Sequence, residues 1–502
     1  MNIRLNFSNY KNSCGILAFA LVVLIGSITL FIQPIIGVAD NGDFFRIISQ
    51  SNLYYLPQNE NNKFLGYFNR DYGIYKYNNE NPRMLVSTQF IFTKAAVLLD
   101  RLFTEDYIFD IRFLSAIYLV IYALSAYLIV KVLTCDIKST KYKILITGIF
   151  IFIFCDTGYI SYFNSFYGEA LSITSFMLSI GILLYMYKFK KYTMANFLLF
   201  FILSILFVGS KQQFAPVGML VCAVLFRLST CLKNRLFHYV PAVLIVVTLG
   251  LSTYFYKSIS GDFDYINRYH AMTRGILIYE KNPDDLLKKL NINPQYSLLS
   301  ETTFFNQIPV INPNDDKLKK TFYSKYSTFS ILKFYLKNPE IFLKMMNFAV
   351  KNGYSIRPKA MGNYEKSAGK SYGSQSYFFS AWSGIKEHYM PHNLFLTIIA
   401  FGIYFVFSAK RYRVASKNSD MDSRLFEETF VYIFLTGVSQ LFISVIGAGD
   451  ADLGKHVFMF NVSFDIIFLY SIYLIIRKID AQFITNTQKE VEKWNLETMG
   501  KK

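Results

Sequence analysis

The apolar residues of the chain fall into long blocks that are separated by polar connections. A block of roughly 17 to 25 mostly apolar residues can cross the hydrocarbon core of a bilayer as one helix. The pattern therefore predicts a membrane protein of about ten transmembrane helices and argues against a soluble globular fold. The predicted helices cover residues 15–38, 108–132, 142–162, 169–187, 194–211, 214–231, 238–256, 393–409, 428–448 and 456–476.

Lysines and arginines concentrate in every second connection between these blocks. They include Lys131 and Lys143 after the second block, Lys188 after the fourth and Arg411 after the eighth. Because cytoplasmic loops of membrane proteins are enriched in such residues, we expect both termini to be cytoplasmic. The same distribution accounts for much of the net charge of +18, so the charge does not indicate nucleic-acid binding.

Two long regions lie on the opposite, outer side in this arrangement. The first is the loop 39–107, in which residues 84–103 predict an amphipathic helix on the membrane surface. The second region covers residues 257–392 and separates two groups of membrane helices. We expect, in chain order, an N-terminal transmembrane module, an extracellular domain, C-terminal membrane helices and a cytoplasmic tail. These parts cover residues 1–256 with about seven helices, 257–392, 393–479 with about three helices, and 480–502.

The extracellular domain is predicted to be mostly helical, so the fold class is an all-α polytopic membrane protein. Asn338-Pro339-Glu340 has a capping residue, a first-turn proline and an acid, which is a helix start. Asn282-Pro283-Asp284-Asp285 has the same pattern.

Two carboxylates follow the first predicted helix, in the segment Ala39-Asp40-Asn41-Gly42-Asp43. On a helical turn this spacing places both acids on one face, where repulsion and burial raise the pKa of one toward that of a general base. The alternative is a helix end with a glycine turn and a snorkelling Arg46.

Further polar residues reach the same membrane depth in other outer connections. Each could form an inter-helix ion pair, but together they suggest one polar chamber that opens to the outside. Acids suit activation of a hydroxyl group, and lysines suit a phosphate at the membrane surface. In the extracellular domain, Arg274 and Arg357 are candidates for phosphate or sugar contact, although loop arginines are more often solvated. The candidates in the outer connections are Asn164, Glu169, Lys211, Gln212, Asp450, Asp452, Lys455 and His456.

These features resemble the GT-C superfamily of membrane glycosyltransferases, which use polyprenyl-phosphate-linked sugars. Asp40-Asn41-Gly42-Asp43 lies where that superfamily has its catalytic aspartate. The segments 162–169 and 361–366 also resemble WsfD-like bacterial cell-wall glycan proteins. The resemblance implies Asp43 or Asp40 as the catalytic base, with Asp43 preferred because Asp40 is closer to the apolar helix end. A divalent metal, Mg or Mn, stays open because Glu169 matches only part of the metal-binding motif.

The leading hypothesis is therefore an enzyme of the cell membrane with an extracellular active site. It would move a sugar from a polyprenyl-phosphate donor to a glycan, lipid or protein acceptor of the cell envelope. One alternative is a flippase of lipid-linked glycans, which predicts repeated halves and broken helices around midplane sites. Another is a glycan polymerase or ligase that depends on Arg274 or Arg357 rather than on aspartates. The sequence does not distinguish the sugar, the acceptor or the anomeric outcome.

Overall fold

The computed structural model describes residues 13–57, 64–77, 85–231, 239–259, 261–306, 311–358 and 360–499. Within them, eight helices are long and apolar enough to cross a membrane. Their presence, in the predicted order, confirms an all-α polytopic membrane protein. The eight helices are Ser13–Phe31, Arg112–Thr134, Gly168–Phe189, Gln212–Ser229, Tyr239–Lys257, Leu394–Lys417, Met421–Ala448 and Phe458–Phe483.

Two more apolar segments overlap the remaining predicted spans. Thr140–Phe154 and Thr157–Phe163 form a pair that is bent by 50°. Asp156 lies at the bend, where its Oδ1 accepts a hydrogen bond of 2.7 Å from the Gly158 N–H and so caps the second piece. Met194–Val208 has only 15 residues and is shorter than a usual span.

The first membrane helix ends earlier than the sequence pattern predicts, at Phe31 instead of residue 38. Pro34 cannot donate a helical hydrogen bond and restricts the residue before it, so the helix cannot continue. The chain then runs extended beside the large inserted region. Gly37 N–H donates to the Asn363 carbonyl at 3.0 Å, and Ala39 N–H donates to the Gly362 carbonyl at 2.9 Å.

The first loop contains a small antiparallel sheet that the sequence analysis did not predict. Strands β1 (Leu53–Tyr54), β2 (Asp71–Ile74) and β3 (Ile108–Asp110) lie in the order β1-β2-β3. Leu53 pairs with Ile74, and Tyr72 pairs with Phe109. The sheet joins the two ends of the loop directly before the second membrane helix.

The amphipathic segment of the first loop forms the helix Gln89–Asp100. Its polar Gln89 and Thr93 are buried against the protein, whereas Ile91 and Leu98 are exposed. An apolar exposed side suits a helix that lies in the membrane interface, which stays a prediction.

The region between the membrane helices that end at Lys257 and begin at Leu394 is mainly helical where it is described. Both predicted helix starts are confirmed, because helices begin at Pro283 and Pro339. The helical segments are Gly261–His270, the π-helix Ala271–Ile276, Pro283–Lys289, Pro294–Leu299, Asp316–Thr321, Tyr323–Lys325, Thr328–Lys337, Pro339–Asn352, Lys366–Ala368 and Ala381–Tyr389.

The helix Gly168–Phe189 lies at the centre of the bundle and is the most deeply buried span. It packs against the span Arg112–Thr134 on one side and the short helix Met194–Val208 on another. Its first turn carries Glu169, so the candidate acids of the first and second outer connections lie at the same end of the molecule as the inserted region. Short helices Phe45–Ile48 and Leu453–His456 complete that end.

Candidate functional site

The two first-loop aspartates have different surroundings. Asp40 is buried, and its Oδ1 accepts hydrogen bonds from the N–H groups of Gly42 (2.7 Å) and Phe44 (3.1 Å). Its other oxygen accepts the hydroxyl of Tyr55. Burial raises the pKa of Asp40 to about 6, although these hydrogen bonds oppose the shift. Asp40 therefore shapes the turn and does not line the cavity described below.

Asp43 is partly exposed and is held by two cations. Its Oδ1 lies 2.7 Å from a guanidinium nitrogen of Arg46, and its Oδ2 accepts the ammonium of Lys455. Burial alone would raise the pKa of Asp43, but the positive charges of Lys455 and Arg46 outweigh it and hold that pKa below its usual range. The expected upward shift thus occurs at Asp40 and not at the preferred base.

The local backbone explains why Asp43 points away from Asp40. Gly42 has φ of +99°, a conformation that favours glycine, so the chain turns between the two acids instead of continuing as a helix. The helix Phe45–Ile48 starts only after this turn. Asp43 consequently lies at the start of a new element and faces the outer connections.

Lys455 joins the first and last outer connections. Its side chain is buried, and its ammonium lies 3.0 Å from Oδ2 of Asp452 in addition to its contact with Asp43. Asn41 donates to the same Asp452 oxygen at 3.2 Å. A buried lysine between two carboxylates keeps its charge, and its pKa is raised because these acids outweigh the cost of burial.

Glu169 and Lys211 form a second ion pair near Lys455. Oε1 of the buried Glu169 lies 2.7 Å from the Lys211 ammonium. The two connections approach closely at Gly168, where a Cβ would lie 2.9 Å from the Ser210 carbonyl oxygen. Only glycine allows this distance. The two backbones therefore lie close enough for Glu169 and Lys211 to form their ion pair.

His456 is a neutral hydrogen-bond acceptor at this site. The Gln213 amide nitrogen donates to the His456 carbonyl at 2.9 Å, so the amide oxygen must be the atom that faces Nδ1 of the ring at 2.8 Å. An amide oxygen only accepts, and Nδ1 therefore carries the hydrogen while Nε2 accepts. Burial, with the nearby charge of Lys211, lowers the pKa of His456 to about 3. His456 thus offers a lone pair rather than a positive charge.

Asp43, Glu169, Lys211 and His456 meet at a cavity of about 320 Å³. Its polar lining comes from four connections at the end of the bundle that carries the inserted region, and its remaining walls are apolar. An amphiphilic cavity of this kind suits a ligand with a polar head and an apolar tail. The polar lining includes Asp43, Arg46, Glu169, Lys211, Gln212, Gln213 and His456, and the apolar walls include Leu85, Val86, Phe255, Ile331, Ile443 and Ile446.

The inserted region closes one side of the cavity through its first helix. Phe263, Asn267 and Arg268 lie along the lining, and the guanidinium carbon of Arg46 lies 3.8 Å from the centre of the Phe263 ring. This stacking holds Arg46 in place beside Asp43.

Several sequence candidates lie elsewhere and have structural contacts. Asn164 is buried, where its amide donates to the carbonyls of Leu30 and Ile36 at 3.0 and 2.8 Å. Arg274 forms a two-bond ion pair with Asp450, at 2.6 and 2.8 Å. Arg357 donates to the Ser376 carbonyl. None of these four candidates lines the cavity.

The acidic side chains described around the cavity do not form a site for a divalent metal. The described residues contain no group of three or more His, Cys, Asp or Glu side chains that could hold one. The three acids that line the cavity are already paired, Asp43 with Lys455 and Arg46, Glu169 with Lys211, and Asp264 with Arg268. Because these carboxylate oxygens are already bound to ammonium and guanidinium groups, the described residues of the cavity do not fit a divalent ion.

Some residues that build the site were not predicted as candidates. The Tyr167 hydroxyl donates to the Ala39 carbonyl and accepts from the Asn41 N–H, both at 2.8 Å. Its ring lies 4.8 Å from the Lys455 ammonium. Tyr55 and Gln213 also contribute, because they form hydrogen bonds with Asp40 and His456, respectively. A tyrosine beside a predicted site carries no sequence signal that separates this role from its usual place at the membrane interface.

The fold and site can be compared with known proteins. The model of a family described as YfdI N-terminal transmembrane domain matches residues 3–493. A protein of Escherichia coli (strain K12) named Uncharacterized protein YfdI is 28% identical over 386 residues, which cover 76% of this chain and 80% of that protein. No solved structure matches the chain. Because the family match extends over almost the whole sequence, the chain belongs to the YfdI N-terminal transmembrane domain family.

Proposed function

We propose that this protein is a membrane glycosyltransferase of the GT-C type. It moves a sugar from a polyprenyl-phosphate donor to a cell-envelope acceptor, a glycan, lipid or protein, at the outer face of the membrane. The observation that carries the proposal is the amphiphilic cavity, where the carboxylate of Asp43 lies among the cations Arg46, Lys211 and the adjoining Lys455.

The cations of the cavity suit the phosphate of the donor. Arg46 and Lys211 line the cavity, and among the described residues each is paired with one carboxylate side chain, Asp43 or Glu169. When the bond between the sugar and the phosphate breaks, the departing lipid phosphate gains negative charge. Fixed positive charges beside it stabilise that charge as it develops. The apolar walls would hold the first isoprenoid units of the lipid.

Asp43 is the proposed general base. It takes the proton of the acceptor hydroxyl while the acceptor oxygen bonds to the anomeric carbon of the sugar. The bond from that carbon to the phosphate oxygen breaks, and its electron pair leaves with the polyprenyl phosphate. A bound phosphate competes with Asp43 for Arg46 and Lys455, which raises the pKa of Asp43 from its low value in the free protein and makes it a better base.

His456 has a complementary role in this proposal. Its ring lines the cavity and is neutral, with an accepting Nε2. Such an atom suits a hydroxyl group of the sugar or of the acceptor, because a hydroxyl can donate to it. His456 lies near the Glu169–Lys211 pair, so its Nε2 would be next to the phosphate in this proposal.

The test is sugar transfer by the purified chain in liposomes, with a labelled polyprenyl-phosphate sugar as donor. Asp43→Asn keeps the size of the side chain and removes its basicity. We expect transfer to fall by about 10² to 10⁴-fold, the usual contribution of a general base. The matched control is Asp316→Asn, which changes an acid of the inserted region whose side chain is 85% exposed and does not line the cavity.

Retention of full transfer by a folded Asp43→Asn protein would reject Asp43 as the base. Thermal unfolding of both variants in detergent establishes whether each one is folded. Loss of transfer in Asp316→Asn to the same degree would show that the loss is not specific to the cavity.

A further inference from the structure

A second cavity, of about 700 Å³, lies at the other end of the helix bundle. The central helix Gly168–Phe189 connects the two ends, since Glu169 lies at the first cavity and Lys188 lines the second. Nineteen residues of helix separate these positions by roughly 30 Å, which is the thickness of the hydrocarbon core. The second cavity therefore opens at the opposite membrane face.

Charged residues from five membrane helices and their connections converge on this cavity. The basic members outnumber the acidic ones, and apolar residues such as Val132, Val414 and Leu474 form part of the lining. The basic residues are Lys188, Lys190, Lys410, Arg411 and Arg477, and the acidic residues are Asp136, Asp420, Asp422 and Glu427.

Each acid of this cavity already has an internal partner. Glu427 accepts two bonds from Arg411, at 2.6 and 2.9 Å, and one from the Ser408 hydroxyl at 2.6 Å. Asp136 pairs with Lys188.

The other two acids are held at the start of the helix Met421–Ala448. Asp420 caps that helix by accepting from the Ser423 N–H at 3.1 Å. Asp422 accepts the hydroxyl of Tyr192 and lies 3.4 Å from the Lys190 ammonium.

Two cations of the lining, Lys410 and Arg477, form no ion pair with a described residue, although Arg477 lies near Asp136 and Tyr473. Among the described residues, no carboxylate lies within 4.0 Å of the charged groups of Lys410 or Arg477, and both residues line the cavity. Enrichment of lysine and arginine at one membrane face explains why such residues are present, but it places no requirement on where they point. Both residues are exposed and line the same cavity together with apolar side chains, so their charged groups are accessible to a ligand that enters it.

We propose that this cavity binds a phosphate group, carried by the headgroup of an anionic membrane lipid or by a soluble phosphate ester. Lys410 and Arg477 supply the charge, and Arg477 adds the fork geometry that matches phosphate oxygens. The cavity volume lies in the range of ligand sites, and basic pockets between membrane helices are known positions for anionic headgroups. The proposal is independent of the glycosyl transfer proposed for the opposite face.

The test measures binding of three probes to the purified full chain in a neutral detergent: labelled phosphatidylglycerol, labelled phosphatidylcholine and glycerol 3-phosphate. We expect phosphatidylglycerol or glycerol 3-phosphate to bind, and the double variant Lys410→Gln/Arg477→Gln to bind at least about tenfold more weakly. The control Lys141→Gln/Lys143→Gln removes two lysines at the same membrane face that do not line the cavity.

The arms distinguish the two sources of phosphate. Binding of phosphatidylglycerol that glycerol 3-phosphate does not displace identifies a lipid headgroup site, and direct binding of glycerol 3-phosphate identifies a soluble ester site. Equal binding by the double variant and the control, equal binding of phosphatidylglycerol and phosphatidylcholine with none of glycerol 3-phosphate, or no binding of any probe overturns the proposal. If the double variant does not fold, the exposed Lys410→Gln alone is compared with Lys141→Gln.

Discussion

At the level of single residues, Asp40 and Asp43 divide two tasks between them. Asp40 is enclosed and organises the turn through Gly42, Phe44 and Tyr55. Asp43 faces the cavity and its cations. A substitution at either position would abolish activity if it disrupted the turn, so activity alone does not separate the two roles. The pKa of Asp40 is raised and that of Asp43 is lowered, and these opposite shifts distinguish the two roles.

Asp40 should make stability depend on pH. Its pKa is about 6 in the folded protein and about 3.8 when unperturbed, so the folded state binds the proton more tightly. The stabilisation from this group is complete below about pH 4 and is lost as the pH rises through 6, a change of about 3 kcal/mol. We expect Asp40→Asn to remove this part of the pH dependence, measured as thermal unfolding in detergent from pH 4 to 8. An unchanged pH dependence in the variant would contradict the enclosed position of Asp40.

The sequence could predict several of the residues that line the cavity, but not their partners. Asp43, Glu169, Lys211 and His456 were candidates because each follows or precedes an apolar block at the same membrane depth. The contact between Asp43 and Lys455 joins positions 412 residues apart, which no local pattern specifies. The direction of each pKa shift depends on such contacts and on burial. The sequence alone therefore could not show that the raised pKa belongs to Asp40 and the lowered pKa to Asp43.

At the level of elements, the inserted region is fixed to the bundle by a close backbone contact. The π-helix Ala271–Ile276 lies against the turn that follows Ala448. A Cβ on Gly449 would lie 2.6 Å from the Gly275 nitrogen, and Gly449 has φ of +61° and ψ of −130°. The neighbouring ion pair between Arg274 and Asp450 strengthens the same junction. Arg274 and Asp450, which were candidates for substrate binding, therefore connect the inserted region to the helix bundle.

Gly449→Ala should loosen this junction. The added methyl group meets backbone atoms, and the backbone conformation is one that other residues rarely adopt. We expect a loss of about 1 to 3 kcal/mol in unfolding free energy, measured as a lower thermal midpoint. Gly447→Ala is the matched control, because a Cβ there has no neighbour within 4 Å. Equal midpoints for the two variants would contradict the contact.

The elements themselves were predictable to different degrees. Long apolar blocks identified the membrane helices, since crossing a bilayer requires length and composition that few other structures share. The sheet of the first loop was missed because its strands have only two to four residues, too few for an alternating pattern. The end of the first helix was misplaced because apolar residues continue past Pro34, and apolar character alone does not distinguish helix from extended chain.

At the level of the whole molecule, the two membrane faces have different chemistry. One end holds the amphiphilic cavity, the inserted region and the first-loop sheet, and the other holds the cluster of lysines and arginines. The alternating distribution of cations along the sequence predicts that the first end faces the outside. The alternative of a flippase requires polar sites at the midplane, whereas the candidate site lies at one end of the bundle.

Orientation can be tested by labelling cysteines with a membrane-impermeant maleimide. In a variant that keeps only Cys135, which is exposed at the basic end, we expect labelling only after cells are permeabilised. A cysteine-free chain with Lys337→Cys, at an exposed position of the inserted region, should be labelled in intact cells. The reverse pattern would place the cavity on the cytoplasmic side and contradict transfer at the outer face.

The most direct measurement is an experimental density map of the protein in liposomes or nanodiscs with a polyprenyl-phosphate sugar bound. We expect the phosphate in the first cavity, within hydrogen-bond distance of Arg46 or Lys211, and the lipid along the apolar walls, with the anomeric carbon toward Asp43. A phosphate bound between Arg274 and Arg357, or a first cavity that stays empty while the donor binds elsewhere, would contradict the proposed reaction centre.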